Sequence, residues 1–182
     1  MKTLVLVFHP QIERSTVNQR LAAAAIQLPN VSVRHLYAEY PDFQIDVAHE
    51  QQLLEQADRI VLQFPFYWYS SPALLKEYLD QVLTYDWAYG NNGTALAGKE
   101  LLVAVSAGAH EEGFHHDGKV HYTVTDLLRP FQATSNYTQM IYLNPFIIYG
   151  TINLTEEALQ QQVNDYLALL QDEQLVPLAL YA

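Results

Sequence analysis

An imidazole, a guanidinium and two hydroxyls fall within eight residues near the start of the chain, His9-Pro10-Gln11-Ile12-Glu13-Arg14-Ser15-Thr16, with Val17 and Asn18 directly after them. Such a set can hold an anion. It follows the apolar run Leu4–Phe8 and precedes an Ala-rich stretch through Ala25, so these groups sit where a buried strand hands over to a helix. Ser15 or Thr16 can cap that helix. The first N–H groups of the helix and the positive end of its dipole then bind negative charge without a formal charge on the protein. The loop has no glycine, which argues against the GxGxxG and GxxxxGK[ST] sites, both of which need glycine for backbone to approach a pyrophosphate or wrap a triphosphate. A single terminal phosphate remains. Side-chain donors at His9, Arg14, Ser15, Thr16 and Asn18 suit FMN better than ATP.

Two further stretches carry candidate chemistry. The segment Gln63-Phe64-Pro65-Phe66-Tyr67-Trp68-Tyr69-Ser70-Ser71-Pro72 is an aromatic run stiffened by prolines. A flat isoalloxazine ring fits such a turn, with backbone N–H groups at Tyr67 to Tyr69 near its N5 and O4 atoms. The alternative is a hydrophobic plug under a surface loop. Ser106-Ala107-Gly108-Ala109 is a run of small residues whose amides can approach the pyrimidine end of the same ring. Facing N1 and O2, those amides would stabilise the negative charge that develops there on hydride acceptance.

The elements that must position these loops follow from the hydrophobic pattern. Strand-like runs at Leu4–Phe8, Val31–Leu36, Ile60–Gln63, Leu101–Val105 and Met140–Tyr149, the last interrupted at Asn144-Pro145, alternate with helical patterns. The helices are expected over Val17–Leu28, Ala48–Ala57, Pro72–Leu83, Thr123–Thr134 and Thr155–Gln171. Such alternation predicts an α/β fold: a doubly wound, five-stranded parallel sheet with helices on both faces. The order 2-1-3-4-5, for which flavodoxin is the standing example, puts the ligand loops after strands 1, 3 and 4. The domain is expected to span residues 1–172, with an apolar tail, 173–182, docked on a neighbouring surface.

Composition narrows the function. With 182 residues and half of them apolar, one domain with a sizeable core is expected. A net charge of −11 disfavours nucleic-acid partners, and zero cysteine removes thiolate catalysis, disulfides and Fe–S clusters together. No apolar run reaches the roughly 18 residues of a membrane span, and Met1-Lys2-Thr3 opens straight into a strand, so a cytoplasmic protein is expected. Thirteen tyrosines and two tryptophans, concentrated at Phe64–Tyr69 and Tyr85–Tyr89, suggest either stacking surfaces or a Tyr-rich core or interface. The long stretch from Ser106 to Tyr122 carries His110, His115, His116 and His121, whose spacings match no usual metal-ligand pattern, so no metal is expected.

The runs Pro41-Asp-Phe-Gln-Ile-Asp46, Gln63 to Pro72 with Leu74-Leu-Lys76, Trp87-Ala-Tyr-Gly90, Gly93-Thr-Ala-Leu96 and Gly98-Lys99 together resemble the flavodoxin-like NAD(P)H:quinone oxidoreductases. Within these, the ancillary proteins of glutathione-regulated potassium-efflux systems (KefF/KefG type) are the nearest branch, similar over about residues 1–170. The resemblance implies that the FMN phosphate end meets His9 and Ser15, Thr16, Val17 and Asn18. It implies that the ring meets Phe66, Tyr67, Trp68 and Tyr69, and Ser106, Ala107, Gly108 and Ala109. The family's last segment is Thr-Thr-Gly-Gly, so this chain loses a hydroxyl at Ala107 and a glycine at Ala109; Ala109 serves there only with negative φ or a shifted loop. His121 lies eleven residues before Gln132 with Pro130 between, similar to the histidine that assists charge shifts in the DT-diaphorase branch. That implies an acid on the quinone side, against the alternative of an exposed loop histidine. The matching tyrosine is missing, and Phe114, the nearest aromatic, has no hydroxyl to donate.

The expectation is therefore an FMN-dependent enzyme, with FAD the lesser alternative. NADPH or NADH delivers hydride to the flavin and a quinone-type electrophile then takes two electrons in the same pocket. The resemblance also implies a homodimer with Trp87 and Tyr89 near the partner's site. Two rival readings are a regulatory subunit of a potassium-efflux antiporter, held by that protein partner at the inner face of the membrane, and a one-electron flavodoxin-type carrier.

Overall fold

The computed structural model describes residues 1–179. Its sheet is built from β1 (Thr3–Val7), β2 (Val31–His35), β3 (Arg59–Pro65), β4 (Glu100–Ser106), β5 (Ile141–Tyr142) and β6 (Phe146–Ile148). The order is β2-β1-β3-β4-β5, all parallel, with β6 also paired to β4. Every residue of β1 and β3 is buried, as strands covered on both faces must be.

Seven helices flank the sheet among the described residues: α1 (Thr16–Ala25), α2 (Leu36–Glu39), α3 (Val47–Gln56), α4 (Ala73–Val82), α5 (Val124–Leu127), α6 (Arg129–Tyr137) and α7 (Glu156–Gln171). On one face Leu4, Leu6, Phe8, Leu62 and Phe64 pack against Leu54 of α3, Leu75 and Tyr78 of α4 and Phe131 of α6. On the other, Val5, Val7, Val61 and Ala104 meet Leu21 of α1 and Val163 and Tyr166 of α7. The three layers place the carboxyl ends of β1, β3 and β4 at one rim.

Three departures from the sequence pattern have local causes. The expected fifth strand is two short pieces, because Pro145 has no N–H for the ladder; β5 pairs with Glu100–Leu101 and β6 with Ala104–Ser106, giving a sixth strand. The expected helix 123–134 breaks at Leu128, one turn after a capping box in which Thr123 and Asp126 bond each other's N–H groups; Pro130 occupies the first turn of the helix that follows. The residues after β2 form the single turn of α2 where the pattern extends a strand to Leu36.

Two polar clusters tie the layers. Arg59, fully buried, reaches Glu100 at 2.6 Å and the carbonyls of Leu169 and Asp172, closing the C-terminal end of α7. Glu50, also fully buried, accepts from Tyr40 at 2.5 Å, Tyr78 at 3.0 Å and Arg34. Burial beside that carboxylate holds the Tyr78 phenol well above its ordinary pKa and lifts Tyr40 to about 12. Beyond α7 the chain returns along β5: Leu178 N–H donates to Tyr142 O at 2.9 Å and Leu143 bridges Pro177, covering the sheet edge. Residues 180–182 of the expected tail lie outside the described residues.

Candidate functional site

Ser15 caps α1: its Oγ accepts from Asn18 N–H at 3.1 Å. The N–H groups of Thr16 and Val17 have no acceptor among the described residues, so two backbone donors stand at the positive end of the helix. His9 Nδ1 accepts from Gln11 N–H at 3.1 Å, which puts the ring proton on Nε2. Burial lowers the His9 pKa, partly opposed by Glu13, so the imidazole is a neutral donor at neutral pH. Arg14 is steadied by Gln11 Oε1 at 3.1 Å. Amides, hydroxyls, an imidazole N–H and a guanidinium together suit a phosphate.

Asn18 departs from its expected use. It is buried, and its Nδ2 donates to Ser106 Oγ at 2.8 Å and, more weakly, to Ser15 Oγ at 3.4 Å. Its amide therefore ties the loop after β1 to the loop after β4.

The aromatic segment folds into a two-residue hairpin. Tyr67 and Ser70 exchange both N–H···O bonds, at 2.9 and 3.0 Å, with Trp68 at φ 48° and Tyr69 at φ 63°. That is the geometry of a type I′ turn, which favours Asn-Gly, so two bulky aromatics here store about 1 kcal/mol or more each. The Tyr67 N–H is thereby spent inside the turn and is not the free donor the sequence suggests; those of Trp68 and Tyr69 remain. The Trp68 side chain is 92 % exposed. Tyr69, Phe66 and Tyr149 surround buried Phe114, at ring separations of 6.4, 6.1 and 5.8 Å.

In the loop after β4, the buried Ala107 gives its N–H to Ile148 O at 2.8 Å, so it too is not a free donor; Gly108 and Ala109 keep theirs. Ala109 lies outside the left-handed region, so its β-carbon carries no strain where the related segment has glycine.

A cleft of about 400 Å³ at this rim brings together His9, Arg14, Ser15, Thr16, Val17, Asn18, Phe66, Tyr67, Ser106 and Gly108, and adds Pro65 and Thr151. Thr151 escapes the sequence reading; the signal for it is Gly150-Thr151 directly after the last strand, with Gly150 at φ 64° turning the chain back so that Thr151 N–H meets Ala107 O. Trp68, Tyr69, Ala107, Ala109 and His121 do not line the cleft. His121 is exposed at φ 63°, its Nδ1 3.1 Å from His116 O. A second groove of about 350 Å³, lined by Lys2, Asn30, Arg34 and Gln56 among others, lies at the opposite ends of β1 and β2. Its guanidinium is taken by Glu39 and Glu50, and open α/β sheets bind at the carboxyl ends of their strands, which selects the first cleft.

The profile of a family described as having a flavodoxin-like fold matches residues 1–170. A Bacillus subtilis protein named as the uncharacterized NAD(P)H oxidoreductase YrkL is 51% identical over 170 residues, covering 92% of this chain and 98% of that one. The potassium-efflux ancillary protein KefG of Pectobacterium carotovorum is 46% identical over 165 residues, 91% of this chain and 90% of that one. Among solved structures, general stress protein 14 of Treponema denticola in complex with FMN superposes with TM-score 0.88 at 44% identity, over 93% of this chain and 98% of that one. The NADPH-quinone reductase of P. pentosaceus gives TM-score 0.88 at 37% identity, over 96% of this chain and all of that one.

Proposed function

The chain belongs to the family with the flavodoxin-like fold, and from that membership we propose that it is an FMN-dependent NAD(P)H:quinone oxidoreductase. One observation carries the proposal. The Ser15-capped helix, with its free Thr16 and Val17 amides, opens into the same cleft as the aromatic turn and the small-residue loop. Relatives named as NAD(P)H oxidoreductases and a neighbour holding FMN support it.

FMN, when bound, supplies a ring that takes up hydride and returns two electrons. The chain's own residues do the rest. His9, Arg14, Ser15, Thr16 and Val17 bind the phosphate, offsetting locally the repulsion of a chain with net charge −11. The Gly108 amide, in the cleft lining, and the free amides of Trp68, Tyr69 and Ala109, next along the turn and loop that border it, are the donors for the ring's polar edge. Phe66 and Tyr67 form an apolar wall that limits water at the reacting face. The absence of a nicotinamide fingerprint fits a donor that shares this cleft with the acceptor, so the two substrates act in turn. Menadione reduction at varied NADPH should give parallel double-reciprocal lines; converging lines contradict alternate occupancy of one cleft.

The relatives named as potassium-efflux ancillary proteins favour a second role, docking on an antiporter's cytoplasmic region. Co-purification with such a domain tests it. A homodimer is proposed from the exposed ring cluster in which Tyr89 contacts Tyr85 and Tyr137 at 5.8 and 5.3 Å, the two outer rings being exposed. Sedimentation at micromolar concentration should give a species of twice 20.8 kDa.

A further inference from the structure

Gln63 is a polar side chain in the middle of a fully buried strand, and it is itself fully buried. Such a group is costly unless every atom is satisfied. Its Nε2 donates to the Asn18 carbonyl at 2.9 Å and faces Asn18 Oδ1 at 3.4 Å, while its Oε1 accepts from the Tyr166 hydroxyl at 3.2 Å. Tyr166, on α7, is likewise fully buried.

These contacts have only one polarity. A backbone carbonyl can only accept, so the Gln63 Nε2 must face Asn18 and its Oε1 must face Tyr166, whose hydroxyl must donate. The second Nε2 proton turns Asn18 Oδ1 toward Gln63, which aims Asn18 Nδ2 at Ser106 and Ser15. Ser106 Oγ, already accepting at 2.8 Å, finds no acceptor for its own proton among the described residues, and Ser106 lines the cleft. Ser15 Oγ accepts from both Asn18 groups and is left in the same state.

We propose that Gln63 and Tyr166 are positioning residues that lock the Asn18 amide, so that Ser106 and Ser15 present hydroxyl protons to a ligand rich in acceptors. This rests on reading the cleft as an FMN site. The chain of bonds links α7, β3, α1 and the end of β4, so donor direction at the rim is set by groups that touch no ligand.

The test replaces both partners by apolar groups of similar shape, Gln63→Met with Tyr166→Phe; their mutual bond is removed from both sides while Asn18 Oδ1 loses its donor, so Tm should fall by about 2–12 °C. The dissociation constant for FMN, read by quenching of its fluorescence, should rise about tenfold. In a Ser106→Ala background the same pair should weaken binding less than threefold, because the more tightly held hydroxyl is gone and only that of Ser15, 3.4 Å from Asn18 Nδ2, is left to orient. Tyr166→Phe alone serves if the pair fails to fold; it should weaken FMN about threefold, with the Asn18 side-chain amide protons exchanging faster by NMR. Unchanged FMN affinity, or equal weakening with and without Ser106, overturns the proposal. If wild-type protein does not bind FMN, the reading of the cleft fails instead, and the amide-exchange comparison on the protein alone still decides whether Gln63 and Tyr166 lock Asn18.

Discussion

Replacing Ser15 by alanine separates two consequences of one hydroxyl. Ser15 Oγ accepts from Asn18 N–H at 3.1 Å, the bond that caps α1, and its remaining proton is free for a phosphate oxygen. Loss of the cap costs about 1 kcal/mol of folding stability. For a domain of this size that lowers Tm by about 2–4 °C. A hydrogen bond to a charged acceptor is worth about 1.5–3 kcal/mol, so FMN affinity should fall about 10- to 100-fold. Riboflavin, which lacks the phosphate, should lose less than about threefold, since only the indirect effect of a frayed helix reaches it. The assay is fluorescence quenching of FMN and of riboflavin in parallel, with thermal unfolding of the apoprotein. Ser15→Thr should restore the cap and most of the discrimination. Equal losses for FMN and riboflavin, or none for either, would refute the placement of the phosphate at the N-terminus of α1.

Other perturbations follow from the same geometry. Trp68→Asn suits the left-handed φ of 48° and sacrifices little packing, since the indole is 92 % exposed; the apoprotein should gain about 1 kcal/mol, and an unchanged or lowered Tm would deny strain in the turn. Bonding to Thr123 holds the Asp126 carboxyl below its usual pKa, so its contribution is complete above the ordinary carboxylate value and lost as pH falls through the lowered one. Denaturant unfolding of Asp126→Asn should trail wild type by about 1 kcal/mol at neutral pH, the gap closing in acid; a gap that widens in acid has the wrong sign. Glu50→Gln leaves Arg34 short of its buried partner and should cost about 3 kcal/mol, against a loss under 1 kcal/mol if Glu39 alone satisfies the guanidinium. His121→Ala should keep FMN affinity and slow quinone reduction less than threefold, because the ring does not line the cleft; a loss of about 100-fold with flavin retained would return it to the role of quinone-side acid.

What was legible in the chain was what depends on near neighbours. The apolar run of β1, the Ser15 cap and the alternation that orders the sheet are local, and the order β2-β1-β3-β4-β5 follows from them. The break at Leu128, just before Pro130, and the split of the last strand at Pro145 are local too, but where the two strand pieces pair depends on what β4 offers as a partner. Free and spent donors could not be told apart in advance. Tyr67 and Ala107 lie in the right loops, yet the turn takes one N–H and β6 the other. The residue type of Asn18 suggests a ligand contact, and it does line the cleft; the protein partners of its carbonyl and side-chain amide, Gln63 and Ser106, lie 45 and 88 residues away, beyond any local pattern. Arg59, Glu50 and Tyr166 gave no sequence signal, because what makes each buried charge or hydroxyl tolerable is a partner supplied by tertiary packing.

The most direct test of the proposed activity is an anaerobic titration. Protein saturated with FMN is mixed with NADPH, then in a separate sample with NADH, while flavin absorbance is followed. The account predicts bleaching in a single two-electron phase by at least one of the two, with colour restored on adding a quinone. Bound FMN that neither nicotinamide bleaches would contradict it, and would leave the cleft a flavin site without hydride chemistry.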